Sequence, residues 1–263
     1  MIRWLVAAVV LIAGAGLAWR LITDGRAPCQ ESAVPAYFYP GPGWTLAIDS
    51  KPPPRIMIMD ITNSGAGRSP DRNYQKAVRR ARAAGITIAG YSSTSYTGRP
   101  ASSVEQDVRN YKAWYDVTDI FLDEVSSGSG QIGYYRRLAG YIHSVNPGSM
   151  VMLNPGTYPD QQYMSVGDIV MVYEGTYASY AAVRVPRWVG DYPAAKFAQA
   201  IYAAPGSRLA SVISLAERRH AGYVYVTDAA GSNPYGTLPS YWPAEDAIIA
   251  ARCSGSGATA ARP

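Results

Sequence analysis

Eight short apolar runs recur along this chain at a nearly even beat, with helical pattern filling most of the gaps. The runs are AYFY (36–39), RIMIMDI (55–61), ITIAGY (86–91), DIFLDEV (119–125), MVMLNPG (150–156), DIVMVYEG (168–175), FAQAIYAA (197–204) and GYVYVTD (222–228). They are continuous rather than alternating, the pattern of strands buried on both faces of a parallel sheet. Residues 71–84, 103–116, 131–145 and 207–220 carry the period of amphipathic helices. In the first, Lys76, Arg79 and Arg80 stand opposite Ala77, Val78, Ala81 and Ala84. The seventh run reads equally as helix. The alternation predicts an α/β chain, a single compact (β/α)8 barrel over residues 34–252, with a doubly wound sheet as runner-up.

The ends of the chain read differently. Arg3, an apolar stretch from Trp4 to Trp19 and then Arg20 form a charged n-region and an h-region, with small residues at Ala13, Ala15, Gly16 and Ala18. The stretch is short of the roughly 20 residues a bilayer span needs. Residues 1–20 are therefore expected to direct export, either as a cleaved signal peptide or as an anchor on the outer side of the cytoplasmic membrane. Residues 21–33 read as a linker and 253–263 as a flexible tail. The two cysteines, Cys29 and Cys253, flank the expected barrel. In an exported protein their simplest use is one bridge that staples the termini together. The net charge of +5 is spread out, apart from Arg79-Arg80-Ala81-Arg82. That run fits a solvated helix face better than nucleic acid. Membrane contact is expected only through the N-terminal segment, and the protein is expected to be a monomer.

Two readings compete at FLDEVSSGSGQIG (121–133). From Gly128 it spells G-x-G-x-x-G, the spacing of a dinucleotide-binding turn. That turn belongs in the first βαβ unit, with an acid closing the next strand. Here it follows the fourth run, the next run ends in Asn154-Pro155-Gly156, and Asp123 and Glu124 would repel a pyrophosphate. The nucleotide reading fails, and the glycines are a loop into the next helix. What remains is a strand ending in acids. Asp60, Asp123, Glu124, Glu174 and Asp228 all close expected strands, on the face where barrel enzymes keep their active sites, whereas Asp119 and Asp168 open theirs. The two histidines, His143 and His220, fall at helix ends. A catalytic triad or a histidine metal site lacks its parts, and no metal or cofactor is expected. Carboxylate pairs alone are the equipment of glycoside hydrolysis. The excess of Tyr (21) over Phe (3) supplies flat rings with polar edges that can meet sugar faces.

The ordered set VPAYFYPGPGW, NSGAG, GYSSTSYTGRP, FLDEV, LNPG and VYEGTY, from about Val34 to Tyr180, resembles the spherulin-4 family (spherulation-specific family 4). The resemblance implies a (β/α)8 barrel. It also implies an endo-acting glycoside hydrolase of galactosamine- and N-acetylgalactosamine-containing exopolysaccharide, such as biofilm matrices contain. Residue by residue it carries over the paired acids Asp123 and Glu124, the strand-six acid Glu174, Tyr91 and Arg99 of the third-strand segment, and Asn154. Where the family has an Asn-Pro pair before the NSG turn, this chain has Ile61-Thr62.

On this reading Glu174 is general acid/base with a raised pKa, and Asp123 is nucleophile or stabiliser. Glu124 tunes them or binds an amino group. The two acting carboxyls are expected about 5–6 Å apart, the range of retaining chemistry. Tyr37, Tyr39, Tyr91, Tyr173 and Tyr177 are expected to line the groove, with Asp60, Asn63, Arg99, Asn154 and Asp228 as further polysaccharide contacts. Strand alternation turns some of these tyrosines, Tyr37 and Tyr173 first, outward under the helices. The rival function is a non-catalytic carbohydrate-binding or cell-wall-associated barrel.

Overall fold

The computed structural model of the chain describes residues 29–255. Eight parallel strands close into a barrel in chain order. They are β1 Glu31–Ala36, β2 Ile56–Met59, β3 Thr87–Ser93, β4 Asp119–Asp123, β5 Val151–Leu153, β6 Ile169–Thr176, β7 Phe197–Tyr202 and β8 Tyr223–Val226. Helices α1 Pro42–Asp49, α2 Arg72–Ala83, α3 Ala101–Tyr115, α4 Ile132–Val145, α5 Tyr177–Tyr180, α6 Leu209–Arg218 and α7 Trp242–Gly255 surround it. Strand β8 pairs back on β1, through Glu31 with Tyr223 and Ser32 with Val224, which excludes the open doubly wound sheet. The seventh run is strand throughout.

Burial on both faces explains the unbroken apolar runs. All four residues of β2 are buried, the inner face against the barrel interior and the outer face against helices. Helix α2 starts where the Asp71 carboxylate accepts the N–H groups of Asn73 (2.7 Å) and Tyr74 (3.2 Å), a cap that contributes about 1 kcal/mol. The helix buries Tyr74, Val78 and Ala81 and exposes Arg79, Arg80 and Arg82. Arg80 pairs with Asp49 at 2.7 Å and Arg82 with Asp116 at 2.9 Å.

Several boundaries differ from the sequence reading. The first strand lies at Glu31–Ala36, so residues 31–33 of the expected linker are barrel, and 37–39 are loop. Pro35 masked it. The Glu31 N–H reaches Gly222 O, so alternate residues of β1, Pro35 among them, face β8. The β1–β8 ladder ends at Ser32, and Pro35 therefore withholds no donor that a partner needs. On β8 the Val226 N–H is accepted instead by the Glu245 carboxylate of α7 at 2.8 Å. The fifth and sixth units lack full helices: a 3₁₀ turn, Gln161–Ser165, follows β5, and the one-turn α5 with two 3₁₀ turns, Arg187–Asp191 and Ala194–Lys196, follows β6. Cys29 is disulfide-bonded. The side chain of its expected partner, Cys253, lies outside the described residues, as do residues 1–28 and most of the tail. Among the described residues no helix is long and apolar enough to cross a membrane.

Candidate active site

The ends of β4, β5 and β6 assemble the centre of the site. Asp123 closes β4, Glu174 lies on β6, and Asn154 follows β5 between them. The Asn154 amide nitrogen donates to Asp123 Oδ1 at 2.7 Å and also, by a short bond, to Glu174 Oε2. Two acceptors on one nitrogen are separated by at most two hydrogen-bond lengths, about 6 Å. The amide is oriented from its other end, where Asn154 Oδ1 accepts the Gly156 N–H at 2.9 Å. Gly156 has φ +63°, a conformation in which glycine is unstrained. The turn Asn154-Pro155-Gly156 thus aims an N–H₂ group at both acids.

Burial raises the pKa of Glu174, and the nearby Asp123 charge adds to it, against a lowering by Asn154 and Tyr235. Burial also raises Asp123, with Glu124 adding, while Tyr91, the Glu124 backbone and Asn154 hold it down. Both acids are therefore raised from their ordinary values, not Glu174 alone. Asp123 is the better supplied with donors, since the Tyr91 hydroxyl also reaches its Oδ2 at 2.7 Å. Glu124, with φ +52°, turns away from the pair, and its carboxylate accepts the Ser93 hydroxyl of β3.

The tyrosines divide. Tyr37 stands in the mouth, its ring edge-on to Tyr91 at 5.4 Å and to Tyr235 at 5.5 Å. Burial and then Asp123 and Glu174 push its hydroxyl far up. Tyr91 is only 6% exposed and holds Asp123, so it positions an acid and has no face for a sugar. Tyr39 is exposed on the rim, where its hydroxyl donates to Asp71 at 2.9 Å. Tyr173 does not line the groove. It packs outside the barrel with Tyr180, Leu209 and Val212, because its neighbour Glu174 takes the inward direction. Tyr177 lines an outer groove with Val212 and Leu215, again away from the acids.

Other expected contacts bond within the protein. Arg99 pairs with Asp107 of α3 at 2.7 Å and donates to the carbonyls of Ser64 (2.6 Å) and Ser93 (3.0 Å), so its charge is used below the rim. Asp60 accepts the N–H groups of Thr62 (3.1 Å) and Asn63 (2.8 Å), which makes it the cap of its own loop and leaves Asn63 exposed at φ +57°. Asp228 accepts Ser240 N–H at 3.0 Å and its hydroxyl, bracing the loop into α7. At the opposite face Asp119 and Asp168 accept Met150 N–H (2.6 Å) and Val151 N–H (2.8 Å), as acids at strand starts should.

Three residues went unnoticed in the sequence. Tyr235 comes from the loop after β8. It is buried, and burial and then the Glu174 charge raise its hydroxyl, which faces that carboxylate without a hydrogen bond of normal geometry. Ser93 holds Glu124, and Tyr96 stands 62% exposed at the mouth.

The strand ends of this closed parallel barrel bring two carboxylates onto one amide, on the face where barrel enzymes keep their active sites. The fold is that of Aspergillus clavatus Sph3, solved in complex with GalNAc, at TM-score 0.74 and 24% identity over 85% of this chain and 98% of that one. A Rhizomucor miehei chitinase is similar at TM-score 0.54 and 10% identity, over 84% of this chain and all of that one. In sequence, the model of spherulation-specific family 4 matches residues 32–249. Spherulin-4 of Physarum polycephalum is 31% identical over 259 residues, 94% of this chain and 78% of that one. The chain belongs to spherulation-specific family 4.

Proposed function

We propose that this protein is an exported, endo-acting glycoside hydrolase that cleaves galactosamine- and N-acetylgalactosamine-containing polysaccharide with retention of configuration. The observation that carries the reading is the Asn154 amide shared by Asp123 and Glu174. It supports a carboxyl separation on the close side of the two ranges, about 5–5.5 Å for a nucleophile against 6.5–9.5 Å when a water must fit between. The GalNAc bound by the Aspergillus clavatus relative supports the amino-sugar class. Export rests on residues 1–20.

In the first step Glu174, whose pKa burial and Asp123 raise, gives its proton to the leaving glycosidic oxygen. An Asp123 oxygen bonds to the anomeric carbon as the bond to the leaving sugar breaks. Tyr91 and Asn154 donate to that carboxylate, which favours its ionised form and aims it. In the second step Glu174, now a carboxylate, takes a proton from water, whose oxygen displaces Asp123. The amide that first serves Asp123 also serves Glu174 as charge moves to it, so one dipole follows the charge through both steps.

The test is incubation with α-1,4-linked galactosamine polymers of graded acetylation, followed by mass analysis of the products. Shortened chains, lost in Glu174→Gln and Asp123→Asn, are expected. Polymer bound at full length would instead mean a lectin-like barrel.

A further inference from the structure

The segment between β3 and α3 holds its backbone against ordinary preference. Ser95, Tyr96 and Thr97 have φ of +46°, +53° and +79°, three consecutive non-glycine residues in the left-handed region. For the β-branched Thr97 that is an outright anomaly. Such conformations persist only where the surroundings over-determine them, and here they do. The Tyr96 N–H donates to Glu124 O at 2.7 Å, and Ser126 Oγ donates to Tyr96 O at 3.0 Å. Thr94 N–H reaches Asp123 O at 2.9 Å. Below, Arg99 fastens the foot of the turn to Ser93 O and, through Asp107, to α3. The backbone that carries Asp123 and Glu124 is therefore the backbone that grips the strained turn.

The turn lifts one side chain. Tyr96 is 62% exposed, whereas Tyr91 and Tyr235, the rings set against the two central carboxylates, are 6% and 4% exposed. The Tyr96 backbone N–H on Glu124 O sets the residue at the end of β4, beside the acids, and Glu124, Asp123 and Glu174, in that order after burial, all raise the pKa of its hydroxyl. Tyr39, the other exposed rim tyrosine, is tied by its hydroxyl to Asp71 and Asn73 over α2.

We infer that Tyr96 is the stacking platform of the substrate cleft, its ring offered to the apolar face of a pyranose unit beside the bond to be cut. The inference rests on the glycosidase reading and adds to it the residue that fixes where a sugar unit lies relative to the carboxylates. A flat, two-torsion side chain on a pre-set turn loses little freedom when it stacks, which is what the distorted backbone secures.

The experiment measures polymer affinity in the Glu174→Gln background and steady-state kinetics in the active protein, for Tyr96→Phe, Tyr96→Ala and Tyr96→Gly. Phe should keep affinity within about threefold, whereas Ala and Gly should lose about tenfold in affinity and gain about tenfold in KM. Tyr96→Gly should also raise Tm, because glycine accepts φ +53° without strain while the binding face is gone. Affinity and KM within twofold of wild type for Ala and Gly would overturn the platform. If the wild-type protein binds polymer without shortening it, the glycosidase reading falls while the affinities still decide Tyr96. If it binds no polymer, both fall.

Discussion

Asn154 is the residue whose loss the proposed chemistry should feel without the fold collapsing. Its amide nitrogen serves Asp123 and Glu174 together. A hydrogen bond to a charged group is worth about 1.5–3 kcal/mol net. One of the two acids is charged at each stage, so Asn154→Ala should remove about 2–3 kcal/mol of transition-state stabilisation, a fall in kcat of roughly 30- to 150-fold. The pH profile supplies a second readout. The amide lowers the pKa of both acids, so its removal raises both. The acid limb, where Asp123 must ionise, and the alkaline limb, where Glu174 must keep its proton, should both move to higher pH. Folding should suffer little. The Gly156 N–H loses its acceptor, at about 1 kcal/mol or a few degrees in Tm. Asn154→Asp should be worse than Ala, since it sets a third carboxyl between two. Release of reducing ends across pH 3–9, alongside thermal melts, is the assay. A kcat within threefold of wild type with an unmoved profile would refute the reasoning.

The other perturbations probe the supports. Tyr91→Phe keeps the ring but removes the 2.7 Å bond to Asp123, so kcat should fall about tenfold with KM unchanged, and the acid limb should shift upward. Arg99→Ala leaves Asp107 uncompensated at 9% side-chain exposure, and urea unfolding should register a loss of about 3–5 kcal/mol; a change below about 1 would show the clamp to be idle. Glu245 is fully buried, and burial first, then Asp246 and Asp228, raise its pKa well above the ordinary glutamate value of 4.5. A raised acid contributes stability that is whole below that value and lost as pH rises through the folded one. Wild type should therefore weaken as pH climbs above 4.5, and Glu245→Gln should flatten that slope.

The barrel was legible because both-face burial writes continuous apolar runs, and seven of the eight met their strands. The first did not, since Glu31, Ser32 and Pro35 look unlike a buried strand until the short β1–β8 ladder is seen. Acids at strand ends were equally legible. The direction of side chains was not. Strand β6 changes register against β7 between Met171 and Tyr173, so counting along the run could not say whether Tyr173 or Glu174 faces inward. Loop residues left still less trace. Tyr235 arrives from a long segment without periodicity, and the left-handed turn that lifts Tyr96 contains no glycine to announce it. Arg99 was expected as a substrate contact from the family resemblance and Asp228 from its place at a strand end, and neither ground shows the carbonyls, Asp107 and Ser240 that they meet in the fold.

The central claim is that Asp123 and Glu174 act across a gap too narrow for an intervening water. The most direct measurement is proton NMR of the first anomer released from an α-1,4-linked galactosamine polymer, recorded before mutarotation. The proposed mechanism predicts the α-anomer, formed by two displacements through Asp123. The β-anomer, appearing first, would contradict it.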